Sequence, residues 1–343
     1  MIIKARAPLR LGLAGGGTDV SPYCDVHGGA VLNATIDRYA YAVIKPLNEP
    51  VLRFKAADRE TEIEVDLEHD LDDHLDHCLH MAVYKEMIEK YNDGKRIALE
   101  LSTIVDAPVG SGLGSSSTLV VVMIRAFVEL LNAPLDDYDI AQLAFKIERE
   151  DCGLKGGRQD QFAATFGGFN YMEFYENNRS IINPLRIKSS VINELESSLV
   201  LFYTGVSRES ARIIADQSKN LKTGSEDALE AMHGIKQEAI MMKECLLKGD
   251  FSSYVGSMLF GWANKKKSAK TVSNPLIDEI YDSALDAGAL AGKVSGAGGG
   301  GFMMFFVPTE KRMDVIRTLN HFDGEVSNCH FTKQGSQAWR IEI

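Results

Sequence analysis

The 343-residue chain lacks the marks of several large protein classes. Its five cysteines (Cys24, Cys78, Cys152, Cys245 and Cys329) are scattered, odd in number and form no C-x-x-C. That pattern fits reduced thiols, not a disulfide frame. Long apolar runs are absent: the longest, Leu119 to Ile124, falls far short of the ~20 residues of a membrane span. Positive charge is scarce, with 37 Lys and Arg against 48 Asp and Glu and a net charge of −11. This argues against nucleic acid or an anionic membrane as the main partner, though not against a small phosphorylated ligand. The N-terminus enters an alternating strand pattern with no signal-peptide layout, so a cytoplasmic protein is expected. There is no G-x-x-x-x-G-K-[ST], which excludes a P-loop nucleotidase. The dinucleotide fingerprint also fails, because Gly296–Gly301 precedes a strand and Gly110–Gly114 has the wrong spacing.

What remains is an ordinary globular composition, 45% hydrophobic and 25% charged, long enough for two domains. Residues 2–13 alternate toward a strand, and 30–44 read as one or two more. Residues 75–91 read as a helix and 97–105 as a strand. A helix opens at Ser115–Ser117, where the serines offer N-caps, and runs through Leu130. Another follows Pro134, capped by Asp137 or Asp139, with Ile140, Leu143, Ala144 and Ile147 as its apolar stripe. A glycine-rich loop, 153–168, comes next. Leu199–Tyr203 is a buried strand, 228–247 a long helix, and Asn274-Pro275 starts a further helix. Gly296–Gly301 leads into strand 302–307. Strands and helices mix without regular alternation, which gives an α+β class. The boundary is expected in the polar stretch 180–197, dividing the chain into 1–190 and 191–343.

Three glycine-rich segments and one Asp-Gln pair carry the chemistry. They are Ala7–Asp19, Pro108–Ser117, Asp160-Gln161 and Lys293–Phe302. In the second, the glycines of Gly110-Ser111-Gly112-Leu113-Gly114 let the backbone approach an anion closely. The helix after Ser115-Ser116-Ser117 offers free N–H groups and a positive dipole end. Asp160, on a glycine-flanked loop, can take a proton from an attacking hydroxyl. Arg158 or Arg10 can offset its charge and that of a transferring group. Glu148 and Ser116 suit magnesium, which prefers oxygen ligands. Lys265-Lys266-Lys267 with Lys270 reads as a solvated helix face, with a substrate-phosphate grip as the minority reading. His69, His74, His77 and His80 read as a polar helix face, because the third ligand of a catalytic zinc site is missing.

As a set these residues resemble the GHMP kinases, which include galactokinase, homoserine kinase and mevalonate kinase. The resemblance spans nearly the whole chain. It implies a two-domain fold, with an N-terminal domain like domain 2 of ribosomal protein S5 and a ferredoxin-like C-terminal domain. It also implies ATP and Mg2+ as cofactors. Pro108–Ser117 is similar to the family's phosphate loop, so Gly110, Ser111, Gly112, Leu113, Gly114, Ser115, Ser116 and Ser117 are expected to hold ATP. Asp160 takes the place of the family's base, Arg10 that of its charge-stabilising arginine, and Ser116 and Glu148 those of its magnesium ligands. Thr18-Asp19 matches a pair whose Asp binds sugar hydroxyls. The third motif, Gly298 included, would support the substrate.

Where galactokinases carry Gly-Glu-His-Thr-Asp, this chain has Gly15-Gly16-Gly17-Thr18-Asp19. That loss of two bulky side chains puts galactose in doubt. Leu9–Pro22, Gly28–Ile36, Gly156–Gln161 and Trp262–Lys266 look most like the heptose 7-phosphate kinases within the family. A sugar phosphate acceptor is thus implied, whose phosphate needs its own cation. Arg158, Lys155, Lys266 and Arg208 are the candidates. A kinase of fucose or galactose, or a catalytically silent sugar sensor, are the rival readings. The sequence leaves a homo-oligomer open.

Overall fold

The computed structural model describes residues 1–68, 78–206, 210–222 and 225–342. Strand β1 (Ile2–Ala14) alternates buried and half-buried positions at first, then is buried on both faces from Ala7 to Arg10. Half of it therefore lies on an ordinary sheet and half is sandwiched between layers. A short helix α1 (Tyr23–His27) leads into β2 (Gly29–Pro46), a single long strand. Strands β3 (Val51–Ala56) and β4 (Thr61–Asp66) form a hairpin that the sequence reading passed over. Helix α2 (Cys78–Tyr91) and β5 (Leu99–Val105) follow.

Next come α3 (Ser115–Leu131), α4 (Asp137–Phe145) and a π-helical turn at Lys146–Asp151. Helix α5 (Gln159–Phe166) occupies the stretch expected to be a loop. Its flanking glycines mark its two ends and do not disrupt it. Strands β6 (Phe169–Phe174) and β7 (Ser180–Pro184) follow, then α6 (Ser189–Ser198) and β8 (Leu199–Tyr203).

The rest is α7 (Ser210–Lys222), α8 (Glu226–Lys248), α9 (Phe251–Ser268), α10 (Pro275–Asp286), β9 (Ala291–Val294), β10 (Phe302–Phe306), α11 (Arg312–Leu319), β11 (Glu325–Ser327) and β12 (Gln337–Ile341). Two expected caps are corrected. Helix α3 is capped by Gly114 in the left-handed region, with no side-chain cap, so Ser115–Ser117 form its first turn. Helix α4 is capped by Asp136, which shares a capping box with Asp139.

The strands form two sheets. The larger has the order β12-β1-β2-β5-β3-β4, with β6 and β7 added along β2. The smaller has the antiparallel order β11-β8-β10-β9. Strand β12 pairs with β1, so the chain returns at its far end to the first sheet. One apolar core lies between β5 and β3 and helices α2, α3 and α4. A second joins the halves: Leu9, Leu11 and Leu13 of β1 pack with Leu199, Leu201, Met242, Tyr254 and Met304. This shared core holds the glycine turns of the two halves against each other. No helix among the described residues is long and apolar enough to cross a membrane.

Candidate functional site

A cleft of about 470 Å³ runs between the halves. It draws on all three glycine segments and on the start of α5. The pairing of β1 with β2 slips between Pro8 and Arg10. Pro8 has no N–H to donate there, and such an irregularity re-aims the next side chain. Arg10, only 4% exposed, turns onto Asp160. Its Nε and Nη2 lie 2.7 and 2.6 Å from the same carboxylate oxygen, Oδ1. Its Nη1 donates to the Gly112 carbonyl at 2.5 Å. One side chain thus ties β1, the second glycine segment and α5 together. Asp160 stands in the first turn of α5, near the positive end of that helix. Its Oδ2 lies against Gly114, 3.1 Å from where a Cβ would stand. Of the two arginines expected to hold Asp160, the structure selects Arg10.

The glycine segments interlock. A Cβ on Gly112 would come within 2.6 Å of the Ser295 carbonyl, and one on Gly301 within 2.4 Å of the Ser111 carbonyl. Ser295 Oγ donates to the Gly112 carbonyl at 3.2 Å. In the loop itself Gly110, Gly112, Gly114, Ser115, Ser116 and Ser117 line the cleft. Ser111 and Leu113 are fully buried and do not. They anchor the loop from below.

Glu148 lies on the π-helical turn, a form that recurs at functional sites, and is 1% exposed. Its Oε2 accepts from Gln161 Nε2 at 2.7 Å, and Arg149 Nη1 stands 3.2 Å from Oε1. Gln161 and Arg149 both donate to Ser117 Oγ, at 3.1 and 3.3 Å. Sequence reasoning missed Ser117's part in this cluster. Ser116 and Glu148 both line the cleft, and a hydroxyl with a carboxylate is the oxygen donor set that magnesium takes beside phosphate.

Several expected roles do not survive. Thr18 is fully buried and lies outside the cleft lining. Its hydroxyl lies 2.8 and 2.9 Å from the Gly15 and Ala30 carbonyls and accepts from Ala30 N–H at 3.0 Å, so it braces the turn. Arg158 points away: it donates to the Tyr175 carbonyl at 3.0 Å and pairs with Asp25 at 3.4 Å. It is free for neither Asp160 nor a substrate phosphate. Gly298 packs on Val272, whose carbonyl would sit 2.7 Å from a Cβ there, and it too is outside the lining. Lys266 is exposed, 3.7 Å from Asp278. His80 is a core residue bonded to Thr103 at 2.9 Å, not part of a polar face. Arg208, His69, His74 and His77 lie outside the described residues.

Asp19 does line the cleft, yet its carboxylate is heavily engaged. Oδ2 accepts from Arg158 and Gln159 N–H at 2.9 and 3.1 Å, and Oδ1 from Gly17 N–H and Gln159 Nε2 at 3.1 and 3.2 Å. It caps α5 from a distant part of the chain and fixes the residue just before Asp160.

Lys265 is the largest surprise. While Lys266, Lys267 and Lys270 are exposed, Lys265 is 5% exposed, lines the cleft and donates to the Gly296 carbonyl. Burial, then the nearby Lys293, lower its pKa to about 7. The lysine triplet concealed it: only the pairing of α9 with β9 decides which of the three turns inward.

Comparison with known proteins agrees with this geometry. Residues 79–168 match the GHMP kinases N terminal domain, and 242–321 match the GHMP kinases C terminal domain. The D-glycero-alpha-D-manno-heptose 7-phosphate kinase of Campylobacter jejuni is 47% identical over 99% of both chains. A crystal structure described as a D-glycero-D-manno-heptose 1-phosphate kinase, from Bacteroides thetaiotaomicron, is 42% identical. It superposes with a TM-score of 0.83 over 99% of this chain and 100% of that one. A putative sugar kinase of Campylobacter jejuni superposes at 0.82 with 45% identity, covering 99% of this chain and 98% of that one. With relatives this similar over its whole length, and with glycine segments that meet at one cleft, the chain belongs to the GHMP kinases.

Proposed function

We propose that the protein transfers the γ-phosphoryl group of ATP to the anomeric hydroxyl of D-glycero-D-manno-heptose 7-phosphate, giving the 1,7-bisphosphate and ADP. The observation that carries this reading is the Arg10–Asp160 pair beside the glycine loop. A carboxylate and a cation side by side in the cleft are the groups that transfer of a terminal phosphate to a hydroxyl calls for, which supports this reading. The 47% identity to a heptose 7-phosphate kinase supports the choice of acceptor.

In this reading the base and ribose lie in the arm of the cleft formed by Ala56, Leu79, Val105 and Leu119. The N–H groups of Gly114–Ser116, at the start of α3, hold the phosphates. Asp160 Oδ2, the oxygen not held by Arg10, takes the proton of the acceptor hydroxyl as its oxygen bonds to phosphorus. The bond from the γ-phosphorus to the β–γ bridging oxygen breaks, and ADP departs. Arg10 offsets the negative charge spread over the moving group. Ser116 and Glu148 would hold Mg2+, which would supply neutralisation of charge on the phosphates. Residues 1–190 form the N-terminal domain and 191–343 the C-terminal one, with β12 crossing back. The protein works in the cytoplasm, where ATP is available.

Two similar proteins carry names that put the acceptor's existing phosphate on different carbons. The test therefore reads the product as well as the rate. ATP consumption with magnesium is followed with heptose 7-phosphate, heptose 1-phosphate, mannose 6-phosphate, fucose, galactose and mevalonate. Turnover confined to heptose 7-phosphate, with new phosphate on C1 by phosphorus–proton correlation, is expected. Turnover of an unphosphorylated sugar alone overturns the substrate assignment.

A further inference from the structure

We propose that Lys265 and Gln159, converging over the bare α-carbon of Gly16, form the subsite for the phosphate that the acceptor sugar already carries. The inference rests on the reading of the protein as a sugar-phosphate kinase, and it assigns that second anion to particular residues.

Gly16 is the first observation. Its neighbours need to be glycine: Gly15 and Gly17 have φ of +78° and +102°, and a Cβ on Gly15 would lie 2.0 Å from the Ala30 carbonyl. Gly16 has no such need. Its φ is outside the left-handed region, and a Cβ would meet nothing closer than Gln159 Nε2 at 3.6 Å and Lys265 Nζ at 4.0 Å. Both are ordinary contacts. A side chain there would cost the fold little, but it would fill the space where two nitrogen donors converge.

Those donors are the second observation. Lys265 is a buried amine, a cation below about pH 7, and among the described residues no carboxylate lies within ion-pair distance of its Nζ. An ammonium has three N–H bonds, and the Gly296 carbonyl takes one. Burying a charge without a partner is costly, so a cation held this way indicates a ligand of opposite sign. Gln159 is 9% exposed, gives one amide hydrogen to Asp19 at 3.2 Å, and leaves its Oε1 with no partner. Its Nε2, the atom that faces Gly16, can offer a second amide hydrogen to a phosphate oxygen.

The charges around Lys265 agree. Lys293 on β9 and Arg10 on β1 lower its proton affinity after burial has done so, while Glu238 on α8 and Asp19 raise it. A phosphate dianion would complete this set.

Position separates this subsite from that of ATP. Asp160 faces Gly114 of the glycine loop, while Gln159, next to it in the chain, faces Gly16. Gln217, which would lie 3.5 Å from a Cβ on Gly17, and Ile214 continue the lining on that side.

Lys265→Met, Lys265→Arg and Gly16→Ala are compared with the wild-type protein, using heptose 7-phosphate, unphosphorylated heptose and ATP. Lys265→Met is expected to raise the KM for the phosphorylated sugar by about 10- to 100-fold, the loss of a charged hydrogen bond. The KM for ATP and the activity toward unphosphorylated heptose stay within about twofold on the same reasoning, so discrimination collapses. Lys265→Arg recovers part of the loss. Gly16→Ala raises the same KM with its melting temperature kept, which guards against Lys265→Met failing to fold. An unchanged KM for the sugar phosphate overturns the subsite. So does an equal loss with both sugars, or a rise in the KM for ATP instead. If the wild type rejects heptose 7-phosphate but accepts another sugar phosphate, only the substrate reading falls, and the variants are tested on that sugar. If it accepts only unphosphorylated sugars, both fall.

Discussion

Arg10 holds Asp160 by one oxygen only: Nε and Nη2 both reach Oδ1, at 2.7 and 2.6 Å, which leaves Oδ2 facing Gly114. The shared oxygen sets which half of the carboxylate stays available as a proton acceptor. Arg10→Met removes both contacts and the third to Gly112. It is expected to lower kcat by about 10²- to 10³-fold, as loss of a charge-stabilising donor does, with little change in the KM for ATP. Asp160→Asn is expected to cost about 10²- to 10⁴-fold if proton removal contributes. A loose phosphoryl transfer needs little help from a base. An Asn variant near full kcat therefore makes Asp160 a charge anchor for Arg10.

Gly157 provides a separate test of how α5 is aimed. A Cβ there would lie 1.9 Å from Asp19 Oδ2, the oxygen that accepts from Arg158 and Gln159 N–H. Gly157→Ala must displace Asp19 and with it the start of α5. The expected result is a fall in kcat of about 100-fold, the scale of a 1 Å misplacement. Gly153→Ala is the control. Its φ is +67° and nothing lies within 4 Å of a Cβ, so it costs about 1–2 kcal/mol of backbone strain and no activity. Equal kinetics for the two variants would falsify the positioning role of Asp19.

Much of this was legible in the sequence where a local pattern has one physical meaning. Pro108–Ser117 followed by an apolar run could only be a tight loop opening a buried helix, and it is. The Asp160-Gln161 pair pointed to a stretch that does line the cleft, but its helix was not foreseen, because the flanking glycines suggested a loop. Thr18 and Arg158 were misassigned for a common reason: a polar residue next to a site can turn either into it or into the frame. Lys265 stayed hidden because the periodicity of a lysine triplet says nothing about which sheet packs on it. Hairpin β3–β4 was passed over although its signal is present: Leu52, Phe54 and Ala56 form a buried row on β3, and Ile63 and Val65 alternate with charged residues on β4.

The buried pair Lys293–Glu238 links β9 to α8 at 2.5 Å, with side chains 3% and 1% exposed. Lys293 also donates to the Leu13 carbonyl at 3.2 Å, and Gly15 N–H donates to Glu238 at 3.4 Å. The pair thus backs the first glycine turn. Lys293→Met or Glu238→Gln alone leaves one buried group uncompensated and is expected to cost about 3–5 kcal/mol in urea unfolding. The double variant Lys293→Met with Glu238→Met removes both charges. It is expected to recover to within about 2 kcal/mol of the wild type. A double variant as unstable as the sum of the singles would show that the two charges are not coupled, which would overturn their reading as a pair.

Lys265 predicts an opposite effect, a variant more stable than the natural protein. In the folded chain burial, and then Lys293, bring its pKa from 10.5 to about 7, with Arg10 acting the same way and Glu238 and Asp19 opposing. In the unfolded chain it keeps its proton to about pH 10.4. Between these values the unfolded state binds more protons, so stability rises with pH across that window. Below about pH 7 both states are protonated and the folded one bears the whole cost of the buried charge. Lys265→Met removes that cost. Without ligand it is expected to unfold at higher urea concentration than the wild type at pH 6, with the gap narrowing by pH 9. A gap of the same size at both pH values would trace the change to packing. A variant less stable at pH 6 would mean that the buried charge is compensated within the protein. The sugar phosphate should close the gap from the other side, stabilising the wild type at pH 6 and the variant far less, because binding to the folded state alone adds to stability.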